Sequence, residues 1–192
     1  MANVDTPFGF KPVRYLSGAP YNGAVNVYST VTGDATAIFI GDPVTLSGTS
    51  STINGQVYAD VDQAATTNTV VGVVVGVLPD TRESTVYREA STARRILVAD
   101  SPDLLFEIQE VSGGTALTAN DIGLNTPFVV GSGSTVTGIS GVELNNVGEE
   151  TTATLDVKIV GLVNREDNAV GENAKWYVRL NNHFYANQIA GV

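Results

Sequence analysis

The stretch RILVADSPDLLFEIQEV, Arg95 to Val111, decides the fold. It begins with a short apolar run at 96–99, and residues 104–109 then alternate apolar with mostly polar side chains, the period-two pattern of a half-buried strand. The Asp, Ser and Pro residues at 100–103 favour a tight turn. The pattern predicts an antiparallel hairpin, and further strands must cover it because a lone hairpin is barely stable in water.

Other segments supply those strands. Residues 70–78 form a nearly unbroken β-branched run, which predicts a central strand covered on both faces, and the two glycines in it predict a bend or bulge. Residues 154–163 alternate, and Trp176, Val178 and Leu180 share one face of a further strand. We therefore expect an all-β fold: a single β-barrel or sandwich of about seven to nine short antiparallel strands.

Residues 1–33 differ in composition, and we expect an extended N-terminal arm there, attached to a barrel formed by residues 34–192. Frequent Pro and Gly exclude a long helix. Ordering a residue costs about 1–2 kcal/mol of backbone entropy, while burying a Phe returns roughly 1.5–3 kcal/mol. The arm should therefore be ordered only against a surface, with Phe8, Phe10 and Tyr15 as anchors. That surface is either its own core, a sister subunit or another partner, and disorder is the remaining alternative.

Composition narrows the classes of partner. The net charge of −10 opposes an encounter with a phosphate backbone, so we expect no nucleic-acid partner. No run of about 18 apolar residues occurs, so we expect no membrane partner. The first residues lack the basic-then-apolar pattern of a signal peptide. Cysteine is absent, which excludes disulfides and thiolate chemistry.

No catalytic constellation emerges from the residue pattern. His183 is the only histidine, and we expect it to be structural. G-x-S-x-G, phosphate-loop, dinucleotide-binding and EF-hand motifs are absent. The close carboxylate pairs fall in predicted polar turns, where water would keep both groups ionised: Asp60 and Asp62, Asp100 and Asp103, Glu149 and Glu150. We expect no enzyme activity, no catalytic residue, no metal site and no cofactor.

The arginines are the one electrostatic anomaly. Four of the ten basic residues lie within fourteen positions: Arg82, Arg88, Arg94 and Arg95. Residues 15–81 contain no Lys or Arg at all. The cluster is either a docking patch for an acidic partner, since Arg can bind a carboxylate through two hydrogen bonds, or a mixed-charge loop balanced by Glu83 and Glu89.

Several segments, in order along most of the chain, resemble the capsid decoration (cement) proteins of tailed bacteriophages. They are ANVDTPFGFKPVRYLSGAPYNG (2–23), IGDPVTLSG (40–48), VVGVVVGV (70–77), ILVADSPDLLFEIQ (96–109), IGLN (122–125), KIVGLVNREDN (158–168) and RLNNHFY (179–185). The resemblance implies a β-rich protein, many copies of which attach to the outer face of an icosahedral shell and clamp neighbouring major capsid subunits. It also implies a homotrimer, with a dimer as the alternative.

We therefore expect a structural virion protein on the outer surface of the capsid, made in the host cytoplasm. Its expected partners are the major capsid protein and further copies of itself. Many weak clamps would stabilise a shell by mass action, because they bind the assembled lattice better than free subunits. The alternative is another phage structural protein, such as a head-completion, tail or major capsid component. A hydrolase or sugar-binding β-domain is a third hypothesis.

Overall fold

The structure, a computed structural model, describes residues 3–192 and confirms the all-β prediction. Within that range nine strands are five residues or longer, and the one helical element is a 3₁₀ turn, Ala119–Asp121. The strands in chain order are β1 Lys11–Tyr15, β2 Asn26–Thr30, β3 Pro43–Ile53, β4 Gln56–Gln63, β5 Gly72–Val77, β6 Arg94–Ala99, β7 Leu104–Gln109, β8 Asn125–Thr126, β9 Phe128–Val129, β10 Glu143–Leu144, β11 Val157–Leu162 and β12 Lys175–Leu180.

The strands divide between a closed barrel and an open sheet. The barrel has the order β2-β4-β3-β5-β6, and the antiparallel pairing of β6 with β2 closes it. The open sheet has the order β1-β7-β12-β11-β8 with antiparallel neighbours throughout. Strands β9 and β10 form a separate pair. The body is thus a barrel with a second sheet packed beside it, which agrees with the expected β-barrel or sandwich.

Strand β5 shows why the two parts pack together. It lies between β3 and β6, as a central strand should, and its register shifts between Val74 and Gly76, so the predicted bulge is confirmed. Val74 points into the barrel core, whereas Val73 belongs to the core shared with the sheet. Because successive side chains on a strand face opposite sides, one β-branched run serves both cores. Trp176 and Val178 of β12 pack in the shared core, as predicted.

The predicted hairpin between β6 and β7 is wrong, although both strands exist. Strand β6 pairs with β2 and β5 in the barrel, and β7 pairs with β1 and β12 in the sheet. The segment 100–103 therefore carries the chain from one sheet to the other. The Asp100 carboxylate accepts hydrogen bonds from Asn26 Nδ2 and Tyr28 Oη, both at 2.8 Å, and Arg179 Nε donates to the Pro102 carbonyl at 2.8 Å. The turn residues change the direction of the chain, but they do not determine which strands β6 and β7 pair with.

The expected arm is not separate from the body over its described part. Residues 11–15 are the edge strand β1 of the open sheet, and residues 26–30 are β2, whose pairing with β6 closes the barrel. A boundary after residue 33 therefore does not divide an arm from a barrel. Residues 1 and 2 of the predicted arm lie outside the described residues.

Phe10 corrects the expected anchoring mode. Its side chain is 1% exposed and packs edge-on against Phe106 and Phe128, with ring centroids 5.9 Å away in both cases. Gly9 has a φ of +70°, and a Cβ there would lie 2.6 Å from the Gly41 carbonyl oxygen, which accepts the Phe10 amide at 2.9 Å. This close backbone contact needs glycine. Phe10 thus anchors the segment in its own core, the intrachain alternative.

We expect Phe10→Ala to lower the free energy of unfolding by about 3–5 kcal/mol, because a fully buried ring leaves a cavity. Phe10→Leu should cost less, since it keeps most of the side-chain volume. Phe8→Ala is the matched control, because Phe8 is partly exposed. Urea denaturation followed by tryptophan fluorescence measures all three variants. Equal losses for Phe8→Ala and Phe10→Ala would contradict this placement of Phe10.

Candidate protein-binding surfaces

The other two predicted anchors lie at the surface of the same chain. Phe8 is partly buried and lines an apolar cleft of about 560 Å³ between the barrel and β1, together with Tyr21, Val75 and Ile139. Tyr15 is partly buried at the end of β1, with its ring centroid 6.5 Å from that of Tyr21. Both aromatic side chains therefore have intrachain neighbours and a solvent-facing part.

Arg88 is not available to a partner, which corrects its expected docking role. Its side chain is fully buried, and Nη1 lies 2.8 Å from the Asp34 carboxylate. Nε donates to the Thr92 carbonyl at 2.7 Å and to Thr30 Oγ1 at 3.1 Å. A planar guanidinium with five donors can satisfy several loop groups at once. Arg88 thus ties together the loops that follow β2 and precede β6.

The remaining arginines of the cluster do not form one patch with it. Arg94 is 7% exposed and donates to Ser84 Oγ and to the Thr85 carbonyl. Arg82 is exposed, and Arg95 is partly exposed with its guanidinium 3.8 Å from Asp80. Only Arg82 and Arg95 therefore keep the surface position that docking requires. The ion pairs of the cluster use Asp34 and Asp80 instead of the expected Glu83 and Glu89.

We expect Arg88→Met to lower the free energy of unfolding by about 3–5 kcal/mol, because it leaves Asp34 and several loop acceptors without their partner. Arg82→Met removes the same charge at an exposed position and should change stability by about 0.5 kcal/mol or less. Chemical denaturation of both variants tests this difference. A stability for Arg88→Met equal to that of Arg82→Met would show that the buried network contributes little.

A larger basic surface forms elsewhere, on the outer face of the open sheet. Strand register places Arg14 opposite Leu105, Leu105 opposite Arg179, and Arg179 opposite Lys158. These side chains form one row across four strands, since directly opposed residues point to the same face. We call the whole surface the basic sheet face, and its cations are Lys11, Arg14, Lys158, Arg165, Lys175 and Arg179.

Sequence reasoning missed this face because its cations lie far apart in the chain. The alternation of 175–180 places Lys175 and Arg179 on one side of a strand, and that signal is visible in the sequence. The strand order, which adds Lys11 and Arg14 from the other end of the chain, is not visible there.

A second surface feature is an aromatic pair near the end of the chain. Phe184 and Tyr185 are 52% and 55% exposed, and their ring centroids lie 5.5 Å apart in an edge-on arrangement. The buried residues just before them fix the backbone. Asn181 Nδ2 donates to the Ala153 carbonyl at 2.7 Å, and Asn182 Nδ2 donates to the Asn68 carbonyl at 3.1 Å.

His183 completes this support. It is 3% exposed, its Nδ1 accepts the Tyr185 amide at 3.0 Å, and the Phe184 amide donates to the Val70 carbonyl at 2.9 Å. Burial lowers the pKa of His183, which favours the neutral ring that this hydrogen bond needs. The chain therefore presents the aromatic pair on a rigid turn, and His183 has the structural role predicted for it.

One carboxylate of the pairs expected to be solvated is buried, and so are Glu110 and Asp156, which lie outside those pairs. Asp60 is 1% exposed and accepts a hydrogen bond from Thr49 Oγ1 at 2.9 Å. Glu110 is fully buried, with Oε2 accepting the Trp176 indole N–H at 2.7 Å, and burial raises its pKa to about 7. Burial also raises the pKa of Asp156, which accepts from Thr66 Oγ1 and the Thr67 amide. In residues 3–192 no three His, Cys, Asp or Glu side chains are grouped so that they could hold a metal ion.

We expect Glu110 to make the protein less stable as pH rises from about 5 to 7. Its pKa in the folded state exceeds the unfolded value, so the folded state binds the proton more tightly and loses this advantage as the carboxyl ionises. Glu110→Gln removes the titration. The stability of this variant relative to the parent should rise by up to about 1.4 kcal/mol per pH unit over that interval, as measured by urea denaturation. A pH-independent difference would contradict a raised pKa.

Comparisons with known proteins add no identification. No family model, no curated protein and no solved structure matches the chain. Among the residues that the structure describes, no helix has the length and apolar character needed to cross a bilayer.

Proposed function

We propose that this chain is a structural virion protein that binds the outer surface of a phage head and stabilises contacts between major capsid subunits. The seven segments that resemble decoration proteins support the phage assignment. The observation that carries a binding role is the rigidly held pair Phe184–Tyr185, which lies within one of those segments. Aromatic side chains supply large contact areas at protein interfaces and are enriched among the residues that dominate binding energy.

The exposed aromatic pair suits a clamp. The backbone of both residues is already held by hydrogen bonds in the free protein, so binding has to order only the two side chains and more of their burial energy becomes affinity. Repeated over many copies, a modest affinity for the assembled lattice stabilises the shell by mass action. The partners in this proposal are the major capsid protein and further copies of the chain, as a trimer or a dimer.

The N-terminal segment has a different part in this proposal from the one first expected. Gln109 Nε2 donates to the Asp5 carboxylate at 3.0 Å, and Asn3 Nδ2 donates to the Ala169 and Glu172 carbonyls at 2.9 Å. These contacts hold residues 3–6 on the chain's own open sheet. A deletion of residues 2–16 would remove β1 and the Phe10 ring, so loss of head binding by that variant would reflect unfolding.

We expect the double variant Phe184→Ala/Tyr185→Ala to bind decoration-free heads about tenfold more weakly or worse, because truncating aromatic interface residues commonly costs 2 kcal/mol or more. Val57→Ala/Val136→Ala is the matched control, since both valines are also strongly exposed, at 70% and 87%. Sedimentation of heads with labelled protein gives the affinity and the copy number, and thermal unfolding of each variant checks folding.

The outcomes separate the claims. Saturation at hundreds of copies per head supports decoration, whereas a few copies would favour a head-completion or tail component. If the parent protein does not bind heads, the proposed function is refuted. Tight binding by the aromatic variant refutes only the assigned surface.

A further inference from the structure

We propose that the basic sheet face is a docking surface for a carboxylate-rich surface of another protein. Under the proposed function that surface belongs to the major capsid protein, and this last step alone rests on that function.

Charge is strongly segregated in the fold. The basic sheet face holds six of the ten cations in a chain of net charge −10. Three carboxylates ion-pair with its arginines: Glu107, Asp103 and Asp167. Asp5 and Glu143 also lie at this face, because both carboxylates accept hydrogen bonds from Gln109, which lies opposite Lys175. With all five carboxylates counted, the face keeps a charge of +1, while the other four cations of the chain stand against fifteen carboxylates. A local positive surface on an acidic protein steers and orients an acidic partner.

The strand register places two positively charged side chains of this face next to each other. Lys158 lies directly opposite Arg179, and like charges directly opposed on neighbouring strands are destabilising. Lys158 Nζ donates to the Gly123 and Ala190 carbonyls at 3.2 and 2.8 Å, not to a carboxylate. Burial, and then Arg179, lowers the pKa of Lys158. A carboxylate arriving from a partner would relieve this repulsion and add charge-assisted hydrogen bonds.

The centre of the face has the composition of an interface. The exposed Arg14 holds its guanidinium carbon 5.3 Å from the centre of the Tyr177 ring, and Leu105 lies in the row between Arg14 and Arg179. Arg and Tyr are enriched in interface centres, whereas Lys and Glu are depleted. Strands pair with both sides of β7 and β12, so the backbone positions of Leu105 and Tyr177 are set before a partner arrives.

The adjoining cleft favours a polypeptide over a nucleic acid. Lys11, Arg165 and Lys175 of the face line the apolar cleft described above, beside Phe8 and Tyr21. Cations around apolar walls suit an apolar side chain flanked by carboxylates. Arg165 already binds the Glu107 carboxylate at 2.8 Å. The acidic remainder of the chain repels an extended polyanion, which disfavours a nucleic acid.

Two charge reversals of equal size test the proposal. Lys11→Glu/Arg14→Glu changes the face, and Arg82→Glu/Arg95→Glu makes the same change in net charge on the barrel. We expect the face variant to bind decoration-free heads about tenfold more weakly or worse, with a smaller dependence on salt, because rim and patch charges act through screened attraction. The barrel variant should stay within about threefold of the parent. Lys11→Gln/Arg14→Gln, which removes charge without reversing it, should show a smaller loss in the same direction.

A second probe separates this proposal from the proposed function. Immobilised poly-L-glutamate should retain the parent protein at low salt in spite of its negative charge, and should not retain the face variant. If the parent protein binds poly-L-glutamate in this way but does not bind heads, the docking surface is supported and the capsid role is refuted. Equal losses for the face and barrel variants would overturn the proposal. So would a parent that binds neither probe, or one that prefers duplex DNA to poly-L-glutamate.

Discussion

The contact of Phe10 with Phe106 and Phe128 is the interaction on which the rest of the structure depends. It places a residue near the start of the chain in the core shared by the barrel and the open sheet. Strand β1 follows immediately and becomes the edge of that sheet, beside β7. The N-terminal segment is therefore a structural part of the body and not a free arm that reaches a partner.

Local patterns predict strands in this chain but not their partners. The β5 run, its bulge and the inward face of β12 follow from side-chain periodicity, which is a property of neighbouring residues. The strands that pair with β6 and β7 cannot be derived from periodicity, because the chain passes from the barrel to the open sheet at the residues that suggest a hairpin. The real hairpin is β3–β4, whose Asn54-Gly55 tip has positive φ at both residues. That dipeptide is a strong hairpin signal, but it lies in a polar stretch with little apolar alternation.

The same distinction applies to the candidate surfaces. Four arginines close in sequence point to a patch, yet the fold buries Arg88 and largely buries Arg94. Cations at the two ends of the chain, such as Arg14 and Arg179, share one face because strand order brings them together. The aromatic pair after His183 is local and visible in the sequence, whereas its rigidity comes from buried amides bonded to distant loops. The basic face and the aromatic pair are the two surfaces on which the proposed binding role rests.

Hydrogen exchange of the intact protein, read by mass spectrometry on peptides covering residues 8–16, tests the central claim most directly. The Phe10 amide is bonded to the Gly41 carbonyl and the Leu16 amide to the Asp103 carbonyl, and β1 is paired with β7 on both sides of a register shift between Pro12 and Arg14. The account predicts slow exchange, comparable to that of the peptides from β7 and β12. Exchange at the rate of an unstructured peptide would show that the leading segment is free of the core, and would contradict the account.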